Sequence, residues 1–328
     1  MTQPATTTPS KHIVALSGGI GGAKLALGLD RILTDDRWAD HGLTVIANTA
    51  DDFEHMSLYV SPDIDTLVYT LAGLANTDLG WGRSGETWSF MQAMEKLGGD
   101  TWFNLGDGDL AMHVWRTSRL SRGDTLSTIT KSICQSLSIR ADILPMSDQP
   151  VRTRLRTDRG WLDFQPYFVG HKAEPTVHEI DYRGINDAKP APGIIDALTS
   201  PNTTAIVICP SNPLISIEPI LAIPGIRQAI KDAQAPVIAV SPIINGKAVK
   251  GPTTKMLREL GHEATAATVL QRYGDLLDAF IADPHDMKSL QSVASGVSLI
   301  SADIIMMSLN DRERLARTVM DVALNSIA

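Results

Sequence analysis

The stretch HIVALSGGIGGAKLALGLDRIL, His12 to Leu33, decides the fold. His12 to Leu16 is a short unbroken apolar run, the pattern of a strand covered on both faces. Ser17 to Gly22 is a glycine-rich turn, and from Ala23 the apolar residues Leu25, Leu29, Ile32 and Leu33 recur at helical spacing. Leu43 to Ala47 (LTVIA) is a second buried strand. Strand, glycine turn, helix and strand in that order open a βαβ unit, and hence a parallel sheet.

The same grammar returns in the second half. Thr204 to Cys209 (TAIVIC) and Pro236 to Val240 (PVIAV) are continuous apolar strands, with Ile217 to Ile230 between them as a helical segment broken at Pro224. Gly251 to Leu260 and Thr268 to Leu277 read as helices. Asp311 to Ile327 reads as a terminal helix capped by Asn310, with Leu315, Val319, Met320 and Leu324 on one face. Between the halves the pattern changes. Arg152 to Arg156 and Trp161 to Phe164 flank a Thr-Asp-Arg-Gly turn as a hairpin, Val177 to Tyr182 adds a third strand, and the residues before them, from about 85 to 135, are helical. The expected fold is α/β: a doubly wound, mostly parallel Rossmann-like sheet with a helical and β-ribbon insertion. Residues 1–10 read as a disordered tail and residues 11–328 as a single domain, with the insertion at about 85–190 completing an acceptor site.

Composition narrows the function. At 328 residues with 43% hydrophobic and 20% charged content, the chain has an ordinary globular balance. No apolar run approaches the length of about 18 residues that a membrane span needs, and the opening residues lack a secretory pattern, so a cytoplasmic protein is expected. A net charge of −8 argues against nonspecific binding to nucleic acid or to an anionic membrane. Cys134 and Cys209 have no metal-type spacing and read as buried free thiols.

Four segments carry candidate chemistry. Ser17-Gly18-Gly19-Ile20-Gly21-Gly22 joins strand to helix, where bare N–H groups at a helix N-terminus cradle an anion. It is neither a Walker A loop nor the dinucleotide fingerprint, because no Gly-Lys-Ser/Thr follows and Lys24 stands where a third glycine belongs. The bland alternative is a tight turn without ligand. Asn48 to His55 (NTADDFEH) follows the second strand. With Asp63 and Asp65 in SPDIDT, Asp51 and Asp52 form a carboxylate group of the kind that holds magnesium with substrate phosphates. Helix caps and a solvated turn account for Asp63 more readily than for Asp51 and Asp52. Pro210-Ser211-Asn212-Pro213 lies after the strand ending at Cys209 and offers polar groups at the sheet edge. Ser241 to Lys255 carries Lys247, Lys250 and Lys255, suited to a diphosphate or to a plain basic loop. Trp81 and Trp88 offer aromatic faces to a planar heterocycle, although core packing is the commoner fate of Trp.

These residues, taken in order, resemble the 2-phospho-L-lactate transferase family. The resemblance runs through SGGIGGAKLALGL (Ser17 to Leu29), NTADDFEH, SPDIDT (Ser61 to Thr66), GWG (Gly80 to Gly82) and Glu86-Thr87. It continues in WFNLGDGDLAMH (Trp102 to His113), LPMSDQPV (Leu144 to Val151), PSNPLISIEPIL (Pro210 to Leu221) and SPIINGKAVKGPTTKM (Ser241 to Met256). It implies a magnesium-dependent homodimer that transfers a phosphorylated three-carbon acid from a guanosine diphospho-linked donor to the ribityl hydroxyl of the deazaflavin Fo. The products are F-420-0 and GMP. By position, Ser17, Gly18, Gly19, Gly21, Gly22, Ser211, Asn212 and Lys250 would bind the donor, and Trp81, Glu86, Thr87 and Trp88 the acceptor. Asp51 and Asp65 would hold Mg2+, and Asp51, Asp52 and Asp65 are the candidate bases. Ala50 departs from the Gly common in the family before the Asp pair. A non-catalytic nucleotide-sugar-binding regulator of the same fold is the competing reading. A dinucleotide oxidoreductase is disfavoured by the absent third glycine and by the lack of a ribose-binding acid about 20 residues downstream.

Overall fold

The first apolar run forms strand β1 (Lys11–Ser17) in a computed structural model that describes residues 10–35, 37–77, 79–249 and 251–327. It sits near the middle of a seven-stranded sheet with β2 (His41–Ala47), β3 (Asp142–Pro145), β4 (Thr203–Ile208), β5 (Val237–Val240), β6 (Ala279–Ala282) and β7 (Ser298–Ser301). The spatial order is β7-β6-β5-β4-β1-β2-β3, and every adjacent pair is parallel. This is the doubly wound α/β order, with the chain reversing its direction of travel across the sheet between β1 and β4.

Alternation along β1 explains why its sequence reads as one apolar block. Val14 and Leu16 enter one core layer with Ile46, Ile206 and Ile208, while Ile13 and Ala15 enter the other with Val45, Ala205 and Val207. Both faces are covered, so no position is left for a polar residue. Cys134 and Cys209 are buried free thiols, pushed up to about 11 and about 12 by burial.

The glycine segment is shorter as a turn than its composition suggests. Helix α1 (Gly19–Ile32) begins at the second glycine and packs against the terminal helix Leu309–Ile327 and against α2 (Pro62–Leu71). The terminal helix is capped by Ser308 and Asp311 rather than Asn310: the Asp311 carboxylate accepts from the Ser308 N–H (2.8 Å), and Ser308 Oγ accepts from the Asp311 N–H (3.2 Å). Such a reciprocal pair satisfies two donors that one Asn cannot. Leu315, Val319 and Met320 are buried as expected, but Leu324 is exposed. The segment Ile217 to Ile230 forms two short helices, Glu218–Ala222 and Ile226–Asp232, parted around Pro224 as expected, with a π turn (Pro213–Ile217) leading into them.

Helices α3 (Ser89–Lys96), α4 (Asp107–Leu120) and α5 (Leu126–Ser136) fill the expected helical stretch. The antiparallel ribbon Arg152–Thr157, Gly160–Asp163 and Val177–Arg183 also forms. Strand β3 lies between them in sequence and is the edge strand beside β2, so the stretch 85–190 is not one continuous insertion. The expected tail falls, except for Ser10, outside the described residues. Among the described residues no helix is long and apolar enough to cross a membrane.

Gly28 lets α1 meet the terminal helix, since a Cβ there would lie 2.3 Å from the Arg312 carbonyl oxygen. Gly28→Ala is expected to lower stability by about 1–3 kcal/mol in urea unfolding, despite a gain of about 1 kcal/mol in helix propensity. An unchanged or raised midpoint would show that the two helices can separate without loss.

Candidate functional site

The carboxyl ends of β1, β2, β4 and β5 open on one cleft of about 630 Å³, at the reversal between β1 and β4. Open parallel sheets take their ligands at this place. Gly18, Gly19 and Gly21 form part of its wall, with Lys24 one turn further along α1. Gly18 donates its N–H to Ser211 Oγ (3.2 Å), and Gly19 donates to Asp63 Oδ1 (2.7 Å). A Cβ at Gly18 would lie 2.6 Å from Ser216 Cβ, and one at Gly21 would lie 2.4 Å from the Pro210 carbonyl oxygen. Packing alone therefore demands those two glycines. Gly19 is different: its φ is 64°, and open space surrounds the position of a Cβ. The first-turn N–H groups of Ile20 and Gly21 have no acceptor within the helix, which suits them to an anion.

Ser17 and Gly22 lie beneath this wall rather than on it. Ser17 is buried, and a Cβ on Gly22 would come within 2.3 Å of Ser17 Oγ and 2.5 Å of Ser211 Oγ, so Gly22 serves packing. Ser211 and Asn212 line the cleft. Asn212 Oδ1 accepts from the Leu214 N–H (2.9 Å), and its Nδ2 is buried without a partner among the described residues. Of the three lysines, Lys255 is held by Glu259 (2.6 Å) and the Pro175 carbonyl (2.8 Å), and Lys247 is exposed on a small hairpin. Lys250 lies outside the described residues.

Four carboxylates cluster at the base of the cleft, and three of them, Asp51, Asp63 and Asp65, line it. Asp51 is buried on its wall, and its Oδ1 has no hydrogen-bond partner among the described residues. Burial, and then the charges of Asp63 and Asp52, hold its carboxyl well above the usual range. Asp63 also lines the cleft. It accepts from Gly19 and from Asn48 Nδ2 (2.9 Å), yet burial still pushes it up to about 6. Asp52 turns away from the wall, where Ser61 Oγ (2.6 Å) and Tyr59 OH (3.0 Å) donate to it. Burial raises it to about 7 against the opposing pull of Arg152 and those hydroxyls. Ala50 is buried and is not among the residues with left-handed backbone, so the loop needs no glycine there.

Asp65 is occupied by a cation from the protein. Arg116 NH1 donates to its Oδ2 (3.2 Å), and NH2 makes a closer contact with Oδ1. Arg116 is fully buried, and its NH1 also reaches the Tyr59 carbonyl and His113 Nδ1, both at 3.3 Å. With Nδ1 accepting, a neutral His113 carries its proton on Nε2, which lies 3.2 Å from Asp109 Oδ2. Tyr69 OH donates to Asp109 Oδ1 at 2.5 Å. Asp65, Asp109 and His113 offer three ligand atoms within 4.8 Å of one another, a group that could hold a metal ion. Asp51 is not in that group.

On the acceptor side, Trp81 lines the cleft and is 49% exposed. Trp102 and Phe103 line it too, within a cluster that places Phe53 4.9 Å from Phe103 and His55 5.2 Å from Trp102, ring centre to ring centre. Phe164 and Phe168, stacked at 5.4 Å, contribute further aromatic surface. The other three expected acceptor residues lie off the wall. Glu86 accepts from the N–H groups of Gly108 (2.6 Å) and Asp109 (2.9 Å), because a helix N-terminus attracts a carboxylate. Thr87 is exposed and donates to Asp107 (2.5 Å), and Trp88 is the half-buried N-cap of α3.

Against this geometry stand the comparisons with known proteins. The sequence pattern of the 2-phospho-L-lactate transferase CofD family matches residues 13–321. The chain belongs to this family. It is 40% identical to a phosphoenolpyruvate transferase of Kitasatospora aureofaciens, over 95% of this chain and 98% of that one. It is 35% identical to a 2-phospho-L-lactate transferase of Methanosarcina mazei, over 94% and 99%. A crystal structure of a Bacillus halodurans protein, 17% identical, shares the fold with a TM-score of 0.61 and covers 94% of this chain and 99% of that one.

Three residues of the cleft, Lys24, Asp109 and His113, and Arg116 behind them carry little signal in the sequence. Lys24 registered only as a missing glycine. Asp109 and His113 enter the sequence reading only within the stretch WFNLGDGDLAMH. Arg116 stood in an unremarkable helical stretch, three residues beyond His113.

The raised carboxyls set a pH dependence. In the window from about 4, where an unfolded Asp loses its proton, up to about 7, folded Asp52 keeps a proton that the unfolded chain has lost. The raised Asp51 and Asp63 act in the same direction. Stability is therefore full below this window and declines as pH rises through it. Thermal unfolding of the metal-free protein is expected to show a higher Tm at pH 5 than at pH 8, with Asp51→Asn narrowing the gap. A Tm that climbs over this range would mean the carboxyls are ionised and paired.

Proposed function

We propose that this transferase moves a phosphorylated three-carbon acid from a guanosine diphospho-linked donor to the ribityl hydroxyl of Fo, with Mg2+, and releases GMP. The observation that carries the reading is buried Asp51, whose Oδ1 has no hydrogen-bond partner among the described residues, in a cleft that joins a helix N-terminus to an aromatic wall. An anion cradle and a flat apolar surface are what a diphosphate donor and a tricyclic acceptor require. A cytoplasmic homodimer is part of the same reading.

The residues fit a divalent cation. Hard oxygen ligands are present, and Asp51 Oδ1 has no hydrogen-bond partner among the described residues. The resemblance pairs Asp51 with Asp65 as ligands, but both oxygens of Asp65 are engaged by Arg116. Asp63 lines the cleft and is the carboxylate whose charge acts most strongly on Asp51. We therefore place the cation with Asp51 and Asp63. Bound there, magnesium would neutralise charge on the donor's phosphate oxygens.

The rest falls to the chain. The first turn of α1 holds the diphosphate through its N–H groups, and Lys24 adds charge beside them. The aromatic wall of Trp81, Trp102 and Phe103 orients the deazaflavin ring. The acceptor hydroxyl oxygen bonds to the phosphorus bearing the acid as the bond from that phosphorus to the GMP oxygen breaks. Asp51 takes the hydroxyl proton: Asp52 faces away from the cleft and Asp65 is locked to Arg116. GMP leaves as the anion.

Fo fluorescence is the direct test. Saturable quenching by Fo in the presence of GDP and Mg2+ is expected, together with turnover when a donor is supplied. The phosphoenolpyruvyl donor is tried first, because the 40% identical relative bears that name. Asp51→Asn should keep Fo quenching while losing about 100-fold or more in kcat. Failure to bind Fo under any condition, with binding of a UDP-sugar instead, would replace the transferase reading with that of a nucleotide-sugar regulator.

A further inference from the structure

Arg116 is the most deeply committed charge in the molecule that the proposed reaction does not use. We infer that its guanidinium is a built-in cation occupying what would otherwise be a second metal site, and that it acts as a positioning residue for the acidic floor. The inference rests on the proposed single-cation reaction and extends it.

Three observations support it. Asp65, Asp109 and His113 present ligand atoms within 4.8 Å of one another, two carboxylates and an imidazole in an arrangement that suits a divalent ion. Arg116 already fills that role for two of the three: its guanidinium engages both oxygens of Asp65 and sits 3.3 Å from His113 Nδ1. It is also completely buried, with Nε lacking any partner among the described residues, so its charge is balanced by these groups and not by water. A fixed guanidinium differs from a metal ion in one useful respect. It donates hydrogen bonds in set directions, and so it engages His113 at Nδ1 and leaves Nε2 turned toward Asp109 on the cleft wall. Both oxygens of Asp65 are taken up by this grip and are withheld from a metal ion, which leaves the cleft with one cation site.

The test counts metal ions in the full-length protein by Mn2+ electron paramagnetic resonance. Wild type is expected to bind one Mn2+ per chain. Arg116→Ala, folded by circular dichroism, is expected to bind one more, and Arg116→Ala/His113→Ala to lose that extra ion. Two ions in wild type, or no gain in folded Arg116→Ala, overturns the inference. Should removal of the charge prevent folding, Arg116→Lys decides. It keeps the charge but not the two-pronged grip, so it should still bind one ion, with kcat lowered about 10- to 100-fold and KM for Fo unchanged. Wild-type kcat or a second ion in Arg116→Lys overturns it equally. Wild type that binds no Mn2+ defeats the magnesium reading alone, and Arg116→Ala should then still gain one ion.

Discussion

Negative charge held away from water governs this end of the molecule. Asp51, Asp52, Asp63 and Asp65 are all buried at the carboxyl edge of a parallel sheet, where an ionised group without partners is costly. Each is accommodated differently. Asp65 receives a guanidinium, Asp52 two hydroxyls with Arg152 behind them, and Asp63 the Gly19 N–H and the Asn48 amide. Asp51 and Asp52 each keep one oxygen without a partner among the described residues, and of the two only Asp51 lines the cleft. The elements outside the sheet follow from these needs. Helix α4 delivers Arg116, the hairpin Phe53–His55/Leu58–Val60 delivers Tyr59, and the antiparallel ribbon delivers Arg152. The segments beyond the sheet thus bring in charge compensation as well as aromatic surface.

The sheet was legible in the sequence because parallel strands buried on both faces spell continuous apolar runs, as in His12 to Leu16 and Thr204 to Cys209. The glycine turn was legible for a related reason. Approaches of 2.3–2.6 Å to a hypothetical Cβ, by serine side chains at Gly18 and Gly22 and by the Pro210 carbonyl at Gly21, leave no room for another residue, so a cluster of glycines marks the strand-to-helix junction. Which glycine faces a ligand was not legible. Gly19 and Gly22 look alike in sequence, and only the register of α1 puts one on the cleft and the other against Ser17.

The carboxylates show the same limit more sharply. Asp63 and Asp65 both occupy the first turn of α2, and residues two apart on a helix project about 200° from each other. One meets the glycine turn and the other meets Arg116. No local pattern fixes that phase, because it depends on how α2 sits against α1. The resemblance gives Glu86, Thr87 and Trp88 to the acceptor together with Trp81, but the N-terminus of α4 claims Glu86 through two N–H groups. The larger aromatic surface comes from Trp102 and Phe103, whose role appears only once the Phe53–His55 strand packs beside them.

The Gly19–Asp63 hydrogen bond ties the two halves of the proposed reaction together. Asp63 accepts from Gly19 at the first turn of α1, the same turn that is to receive the donor's phosphate. A phosphate that takes the Gly19 N–H removes one of the two donors that stabilise ionised Asp63, leaving Asn48. Asp63 and phosphate are then two anions sharing one helix end, and their repulsion falls only if a cation lies between them. The loss is greatest where Asp51 stands nearby with its own uncompensated oxygen. In the proposed reaction donor and cation would therefore favour each other's binding through Asp63, and by linkage the coupling would be the same in either direction.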